Sequence, residues 1–515
     1  MEATQPPTYE YKCNKHLQQT FNKKWEETNM KKKVLSALLT TAMLASMLVG
    51  CGSNNEAPAA STDAAPAAST EAKTEAPAST EAAEPAAAEE GKVFNIYCWN
   101  EEFKSRLTDH YPGYEEVDGT TGKIGDITVK WNITPSDDNA YQNNLDETLL
   151  KQADAAADDK IDLFLVEADY ALKYVDTDYT MPVKDLGITD ADLANQYQYT
   201  KDVVTDSNGN LKGVSWQATP GLYAYRRSIA KDVLGTDDPA KVQEALADWT
   251  KFDEVAAKAA DKGYKMLSGY DDAYRTFSNN VSAPWVNDNK EIIVDDNIMK
   301  WVDQTKTYTD KGYNNKTSLW SDAWAADQGP DGKVFGFFYS TWGINFTLAG
   351  NSLAVKEKDG GKLEVGNGGY GDWAVCYGPQ AYFWGGTWMA AAKGTDNAAL
   401  VGDVLKAFCC DKDFGVQFTK DTQDYYNNEA AMKELASSDF KSAFLGGQNH
   451  IALFVETAPK IDMSKISVYD QGLNETFQAK FKEYFDGTVD KDTALKNFYE
   501  AAIVKYPELK KPANA

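Results

Sequence analysis

Residues 52–91 limit where a folded core can lie. This stretch consists almost entirely of Ala, Glu, Pro, Ser and Thr, and it contains no aromatic residue and no Val, Ile or Leu. Such a composition buries too little apolar surface to offset the entropy of ordering the chain. It therefore predicts an extended, acidic, disordered tether over residues 51–92, and the folded part is expected to begin near Val93.

The segment before the tether has the pattern of an export signal. Three lysines at 31–33 precede an uncharged run over 34–49, which is shorter than the roughly 20 residues that span a bilayer as a helix. At its end, residues 48–51 read Leu-Val-Gly-Cys, which resembles the bacterial lipobox. The cysteine of a lipobox, here Cys51, is lipidated. We expect residues 1–29 to result from an upstream mis-start of translation, and the rest of residues 1–50 to be a lipoprotein signal peptide. The alternative is a retained membrane helix.

From Val93 onward, strand and helix patterns alternate. Residues 93–99 and 127–133 have β-rich or alternating apolar patterns, and 161–166 is a short apolar run typical of a buried parallel strand. Apolar residues at four-residue spacing predict a helix between the second and third of these strands. The pattern predicts an α/β fold with a doubly wound sheet, in which ligands bind beyond the carboxyl ends of the strands.

Polar residues follow two of these strands at that position. Trp99, Asn100 and Glu101 come after the first predicted strand, and Glu167 comes after the third. For an acidic side chain such as Glu167, ligand contact and simple surface solvation are both open. Asp272 lies in a polar loop between two tyrosines, and the same two alternatives hold there.

Composition and missing motifs argue against several functional classes. The net charge of −26 disfavours nucleic-acid binding, since phosphate recognition needs clustered Lys and Arg. The chain has three His, its six Cys show no paired metal-ligand spacing, and no zinc-protease, P-loop or serine-hydrolase motif occurs. A GxGxxG match at 366–371 precedes a predicted strand instead of following one, so we interpret it as a glycine-rich loop. We expect neither a metal nor a cofactor.

Tryptophan is the residue type that points to a ligand. The chain has 13 Trp. An indole face stacks on the apolar side of a pyranose ring while neighbouring polar side chains bind the hydroxyls, and the same aromatic and acidic residues can instead hold a cation. Core packing is the alternative for each tryptophan. The candidates that flank Gly, Asn or Pro at presumed strand ends are Trp99, Trp216, Trp342, Trp384 and Trp388.

The order of these features resembles the extracellular solute-binding proteins of bacterial ABC importers, particularly the carbohydrate-binding group. The similarity spans residues 93–509 and rests on the lipobox, the tether, the Trp99 loop, the stretch 213–227 (GVSWQATPGLYAYRR) and the stretch 384–388 (WGGTW). It implies two α/β lobes, joined by hinge strands, that close on a ligand. Carried onto this sequence, it implies ligand contacts at Trp99, Asn100, Glu101, Trp216, Tyr223, Trp342, Trp384, Gly386 and Trp388. The carboxylates Glu167 and Asp272, together with Trp285, complete the expected binding set.

The resemblance also implies how the chain divides and what it does. The first lobe is expected over 93–218 and 386–430, and the second over 219–385 and 431–515. The expected function is capture of a sugar or oligosaccharide by a lipid-anchored monomer on the outer face of the bacterial cytoplasmic membrane. The ligand would then pass to an ABC permease, and no bond would be made or broken.

Two other functions stay open at this level. The first is a binder of a cationic ligand such as a polyamine, which the negative charge and the Trp and acidic residues would suit. The second is a lipid-anchored glycoside hydrolase, which needs two carboxylates about 5–10 Å apart across a sugar. Competition between maltooligosaccharides and spermidine separates the first from sugar capture, and release of reducing ends would support the second.

Overall fold

Three β-sheets form the framework of residues 91–513, the part of the chain that the computed structural model describes. The expected signal peptide, the lipid site Cys51 and most of the tether lie outside these residues. The strands are β1 Val93–Cys98, β2 Tyr114–Glu116, β3 Thr121–Ile124, β4 Ile127–Ile133, β5 Leu163–Glu167, β6 Val214–Ser215, β7 Gly221–Arg226, β8 Leu267–Gly269, β9 Asn314–Thr317, β10 Gly336–Ser340, β11 Trp373–Cys376 and β12 Thr387–Ala391.

Helices connect and cover these strands. In residues 91–513, no helix is both long enough and apolar enough to cross a membrane. The α-helices are α1 Glu102–His110, α2 Ala140–Leu149, α3 Ala171–Val175, α4 Gln198–Asp202, α5 Arg227–Leu234, α6 Pro239–Ala245, α7 Trp249–Asp261, α8 Tyr274–Ser278, α9 Asp296–Lys311, α10 Asp322–Asp327, α11 Thr341–Gly343, α12 Ala398–Cys409, α13 Lys412–Thr422, α14 Glu429–Ala436, α15 Ile451–Thr457, α16 Asp470–Phe485 and α17 Lys491–Lys505.

The largest sheet has seven strands in the order β2-β3-β4-β1-β5-β12-β6. β1 lies parallel to β4 and β5, whereas β12 pairs antiparallel with both β5 and β6. The apolar pattern of β5 is explained by its position, because Leu163–Val166 are all buried. The three strands expected from the sequence are confirmed as β1, β4 and β5. The sheet is mixed, because β3 and β12 each pair antiparallel with both of their neighbours.

A second sheet has the order β10-β7-β11, and both outer strands run antiparallel to β7. β8 and β9 form a short parallel pair. The chain leaves the seven-stranded sheet after β6, enters the second sheet at β7, and returns from β11 to β12. The two connecting segments touch, since Pro220 and Phe383 form an isolated bridge. Two neighbouring crossings therefore link the two sheets.

Helix α12 packs closely against the chain at a glycine. A Cβ atom built on Gly402 would lie 2.4 Å from the carbonyl oxygen of Leu186, the last residue of the 3₁₀ turn Val183–Leu186. Real Cβ atoms essentially never come so close to another heavy atom. The approach of this helix to the turn therefore depends on the absence of a side chain at Gly402.

We expect Gly402→Ala to destabilise the protein by about 1–3 kcal/mol, because the new methyl group meets a backbone atom that cannot move alone. Gly350→Ala is the matched control. Gly350 is helical with open space at its Cβ position, so alanine should stabilise the protein by about 0.5–1 kcal/mol. Urea unfolding measures both values. Stabilisation by Gly402→Ala would show that the contact does not constrain the helix.

Candidate ligand-binding site

A cavity of about 270 Å³ opens beside the two crossings and is lined by residues that follow strands of both larger sheets. This volume is close to the lower end of the range of about 300–1,000 Å³ that small-molecule sites occupy. The lining residues are Trp99, Asn100, Glu102, Glu167, Gln217, Trp320, Trp342, Phe346, Trp384, Gly385, Gly386 and Thr387.

Strand register explains why one side of the cavity forms. β1 and β5 are parallel neighbours, so their carboxyl ends meet at one edge of the sheet and bring Trp99 close to Glu167. β12 runs the other way, and its first residue, Thr387, pairs with Glu167. The segment just before Thr387, which includes Gly385 and Gly386, therefore reaches the same edge.

Aromatic side chains form the opposite wall. The ring centroids of Trp320 and Trp342 lie 6.1 Å apart in a stacked arrangement, and those of Trp342 and Trp384 lie 5.4 Å apart edge to face. The indole N–H of Trp342 donates to the main-chain carbonyl of Trp384 at 3.0 Å, and this bond fixes the orientation of the Trp342 ring. Trp320 is 59% exposed and Phe346 is 69% exposed. Large apolar surfaces left open in a cleft indicate a ligand platform.

A carboxyl and amide network lies on the polar side. The Gln217 amide nitrogen donates to Glu102 and to Asp424 at 2.9 Å each, and the Gln217 side-chain oxygen accepts from the Thr387 main-chain N–H at 3.1 Å. Burial, followed by the charge of Asp424, raises the pKa of Glu102 to about 7, and Arg106 opposes this shift. Glu102 therefore lies in surroundings that penalise its charged form.

Glu167 is the second carboxyl of the cavity. It accepts a hydrogen bond from the Asp169 main-chain N–H at 2.7 Å. Burial, followed by the charge of Asp169, raises the pKa of Glu167 to about 8, and Arg275 on α8 opposes this shift. Arg275 and Asp169 form a two-pronged ion pair, with nitrogen–oxygen distances of 2.6 and 2.5 Å. This pair connects the loop after β5 to helix α8.

Comparison with known proteins identifies the family. The family described as bacterial extracellular solute-binding protein matches residues 115–443, which is more than half of the chain. This chain belongs to that family. No curated protein sequence matches it significantly.

Solved structures show the fold of this solute-binding protein. The crystal structure of an extracellular solute-binding protein of family 1 is similar, with a TM-score of 0.64, 16% identity, and coverage of 80% of this chain and 99% of that one. The ABC transporter associated binding protein from B. animalis subsp. lactis Bl-04, in complex with β-1,6-galactobiose, has a TM-score of 0.60, 15% identity, and coverage of 82% and 99%. The galacto-N-biose-/lacto-N-biose I-binding protein from Bifidobacterium longum, in complex with lacto-N-biose, has a TM-score of 0.56 and 15% identity. The match covers 81% of this chain and 98% of that one.

The expected fold class is confirmed: this is the two-lobed α/β fold of periplasmic binding proteins. The family and these structural neighbours are binding proteins and not enzymes. Half of the expected site residues line the cavity of this solute-binding protein, and their contact with a ligand stays a prediction. They are Trp99, Asn100, Glu167, Trp342, Trp384 and Gly386.

Glu101 does not line the cavity, contrary to expectation. Its side chain is 70% exposed and pairs with Lys104 at 3.5 Å. The next residue, Glu102, is the first residue of α1 and lines the cavity instead. Successive residues at the start of a helix point in different directions, so an error of one residue changes which side chain meets the ligand.

Two expected tryptophans show the same displacement by one residue. Trp216 is fully buried in the core while its neighbour Gln217 lines the cavity. Trp388 is also buried, and its indole N–H donates to the Thr200 carbonyl at 2.7 Å, while its neighbour Thr387 lines the cavity. Adjacent residues of an extended chain point to opposite faces, so each tryptophan is directed into the core.

Three further expected residues serve the core. Tyr223 is fully buried, and its hydroxyl donates to a main-chain carbonyl at 2.9 Å. Asp272 accepts from the main-chain N–H groups of Ser268 and Gly269 at 2.7 and 2.9 Å, so it holds a turn. The Trp285 indole is buried, donates to the Asn474 side chain at 3.0 Å, and borders a separate small cavity beside Asp169 and Arg275. None of the three lines the candidate ligand-binding cavity among the described residues.

Several lining residues were not expected from the sequence. Trp320 follows the β9 strand and adopts a left-handed backbone (φ 66°), and its loop position is the one signal that marked it. Phe346 lies in the π-helical stretch Ile344–Ala349, where no apolar pattern distinguishes it from a core residue. No sequence motif marks Gln217. It lines the cavity because it follows β6, whose pairing with β12 brings it there.

We expect Trp388→Ala to lower the free energy of unfolding by about 3–5 kcal/mol, because it leaves a cavity in the core and removes a buried hydrogen bond. Trp320→Ala is the matched control, with an expected change below about 1 kcal/mol, since its ring is already largely exposed. Chemical denaturation gives both values. Equal effects would contradict the assignment of Trp388 to the core.

We expect the stability gain from Glu167→Gln to grow with pH. Below about pH 4.5 the carboxyl is protonated in both folded and unfolded states, so its ionisation does not affect the free energy of unfolding. Between 4.5 and about 8 only the unfolded state ionises freely, so the wild type loses stability as pH rises. Glutamine removes that loss, so its melting temperature should exceed that of the wild type at pH 8 and match it near pH 4.

The control for this measurement is Glu101→Gln, which changes an exposed neighbouring carboxylate outside the cavity. Its melting temperature should follow that of the wild type across the same pH range. A Glu167→Gln variant that behaves like Glu101→Gln would show that the Glu167 carboxyl is not desolvated.

Proposed function

We propose that this protein captures a sugar or oligosaccharide in the cavity and delivers it to an ABC permease without catalysis. The observation that carries the proposal is the wall of Trp320, Trp342 and Trp384 opposite carboxyl and amide groups. A sugar offers apolar ring faces and a rim of hydroxyls, and this cavity offers partners for both. The complexes of two structural neighbours with β-1,6-galactobiose and with lacto-N-biose support the ligand class.

Capture would work through closure of the cleft. The first crossing contributes Gln217 and the second contributes Gly385 and Gly386, so the cavity lies against the segments that join the sheets. A ligand that contacts both walls is bound most tightly when the walls approach, and it therefore shifts the population toward the closed form. The ion pair between Asp169 and Arg275 would add to the closed form, because it connects elements of different sheets.

The lobes of this mechanism follow the two crossings. We assign residues 93–218 and 386–430 to the first lobe, and 219–385 and 431–515 to the second. The sheet contents support this division, since β6 and β12 belong to the seven-stranded sheet while β7, β10 and β11 belong to the second.

We further propose that a lipid on Cys51 holds the protein, as a monomer, on the outer face of the bacterial cytoplasmic membrane. The tether over 51–92 would let the folded part move between ligand and permease. The extracellular character of the family supports this side of the membrane. Labelling of the exported protein with a radioactive fatty acid, compared with a Cys51→Ser variant, tests the anchor.

We expect Trp342→Ala to weaken carbohydrate binding at least about fivefold, because loss of one stacking surface costs on the order of 1 kcal/mol or more. Trp249→Ala is the control, since this partly buried tryptophan lies outside the cavity. Calorimetric titration with the oligosaccharide that scores best in a thermal-shift panel gives both dissociation constants.

Unchanged affinity in Trp342→Ala would remove the aromatic wall from the site. Release of reducing ends from the bound oligosaccharide by the wild type would contradict capture without catalysis. Protection by spermidine alone, with no carbohydrate active in the panel, would replace the proposed ligand class.

A further inference from the structure

The polar side of the cavity is acidic. Its lining contains two carboxyl side chains, Glu102 and Glu167, and among the lining residues that the structure describes none is Lys, Arg or His. The remaining polar partners are the side chains of Asn100, Gln217 and Thr387, which are neutral. Carboxyl oxygens can accept hydrogen bonds from neutral hydroxyls, but two acids in a lining without a cation also suit a ligand group that is basic.

Around Glu102, acidic groups outnumber basic ones. Its neighbours are Asp424, which shares the Gln217 amide with it, and Arg106, one helical turn further along α1. Arg106 does not line the cavity, and its buried Nε atom has no hydrogen-bond partner among the described residues. One arginine thus faces two carboxyl groups, and neither carboxyl has an ion-pair partner within 4 Å in the described part of the chain.

Acidic groups also outnumber basic ones around Glu167. Both nitrogens of the Arg275 fork are used by the two oxygens of Asp169, so this pair neutralises itself. Asp470 lies near the same pair and adds a further acidic group. Glu167 is therefore an additional acid beside an ion pair that is already complete, and one of its oxygens lies 3.5 Å from the Cβ position of Gly385.

The aromatic wall favours a cation as well as a ring. Indole faces attract an ammonium group within about 6 Å, and desolvation strengthens the attraction. A linear polyamine would use the Trp320, Trp342 and Trp384 surfaces through its ammonium groups alone, without a ring to stack. A neutral sugar would give the two carboxyls hydroxyl partners but no cation. A ligand that carries a sugar ring and a free amine satisfies both walls.

We propose that the carbohydrate taken by this site carries a basic amine, as in a non-acetylated amino sugar or an oligosaccharide of such units. The inference rests on the proposed function, since it names the class of sugar for the same cavity. The ammonium group would lie between the carboxyls of Glu102 and Glu167, and the ring would stack on the opposite indoles.

The pKa shifts of the two carboxyls agree with this placement. Burial with Asp424 nearby raises the pKa of Glu102, and burial with Asp169 nearby raises that of Glu167, against the opposing charges of Arg106 and Arg275. A bound ammonium group would stabilise both carboxylates and displace the protons that they hold near neutral pH. Binding should therefore release protons, which calorimetry in two buffers of different ionisation enthalpy detects.

The test compares matched ligands on the full folded protein. Glucosamine, galactosamine and their β-linked disaccharides and trisaccharides are titrated beside their N-acetyl and hydroxyl counterparts of equal length, with spermidine as a ringless amine. At pH 7 we expect the best amine to bind at least 30-fold tighter than both of its counterparts and to release protons. Glu167→Gln should reduce this preference at least tenfold, while Glu101→Gln should leave it unchanged.

The outcomes separate the two proposals. Equal or tighter binding of the hydroxyl or N-acetyl counterpart, or an unchanged preference in Glu167→Gln, overturns the amine inference and leaves sugar capture standing. Binding of spermidine with no carbohydrate bound overturns sugar capture itself. Absence of binding by every ligand in the panel counts against both.

Discussion

The antiparallel insertion of β12 between β5 and β6 is the interaction on which the site depends. Thr387 pairs with Glu167, and Trp388 pairs with both Val166 and Ser215, so three distant parts of the chain are fixed in one register. The first crossing starts from β6 and the second ends at β12, so this register also holds the two crossings side by side. The polar wall and the segment of Gly385 and Gly386 are then built on a junction that backbone hydrogen bonds define.

The cavity itself is unfavourable for folding. Glu102 and Glu167 are held where their charged forms are poorly solvated, and Trp320 and Phe346 leave large apolar surfaces open to solvent. Desolvated carboxyls and open aromatic rings in one cleft are common at functional sites, because ligand binding relieves both costs. The same groups thus cost stability in the free protein and offer strong interactions to a ligand.

Local patterns were sufficient for much of the fold and for part of the cavity lining. Alternation and apolar runs predicted β1, β4 and β5, and residues after the strand ends gave Trp99, Asn100 and Glu167. The errors at Trp216 and Trp388 have a common cause. A short strand has no long alternation from which to read its phase, and a shift of one residue turns a side chain from the cavity into the core.

The sequence alone determined the alternation of strands and helices in the folded part, because it depends on local periodicity. It also showed the resemblance to solute-binding proteins, which rests on the order of particular stretches along the chain. Only the tertiary structure decided that Gln217, Trp320 and Phe346 face the cavity while Tyr223, Asp272 and Trp285 serve the core. The physical reason is that a wall assembled from two sheets depends on strand register and on contacts between residues distant in sequence, and neither leaves a signal in any single segment.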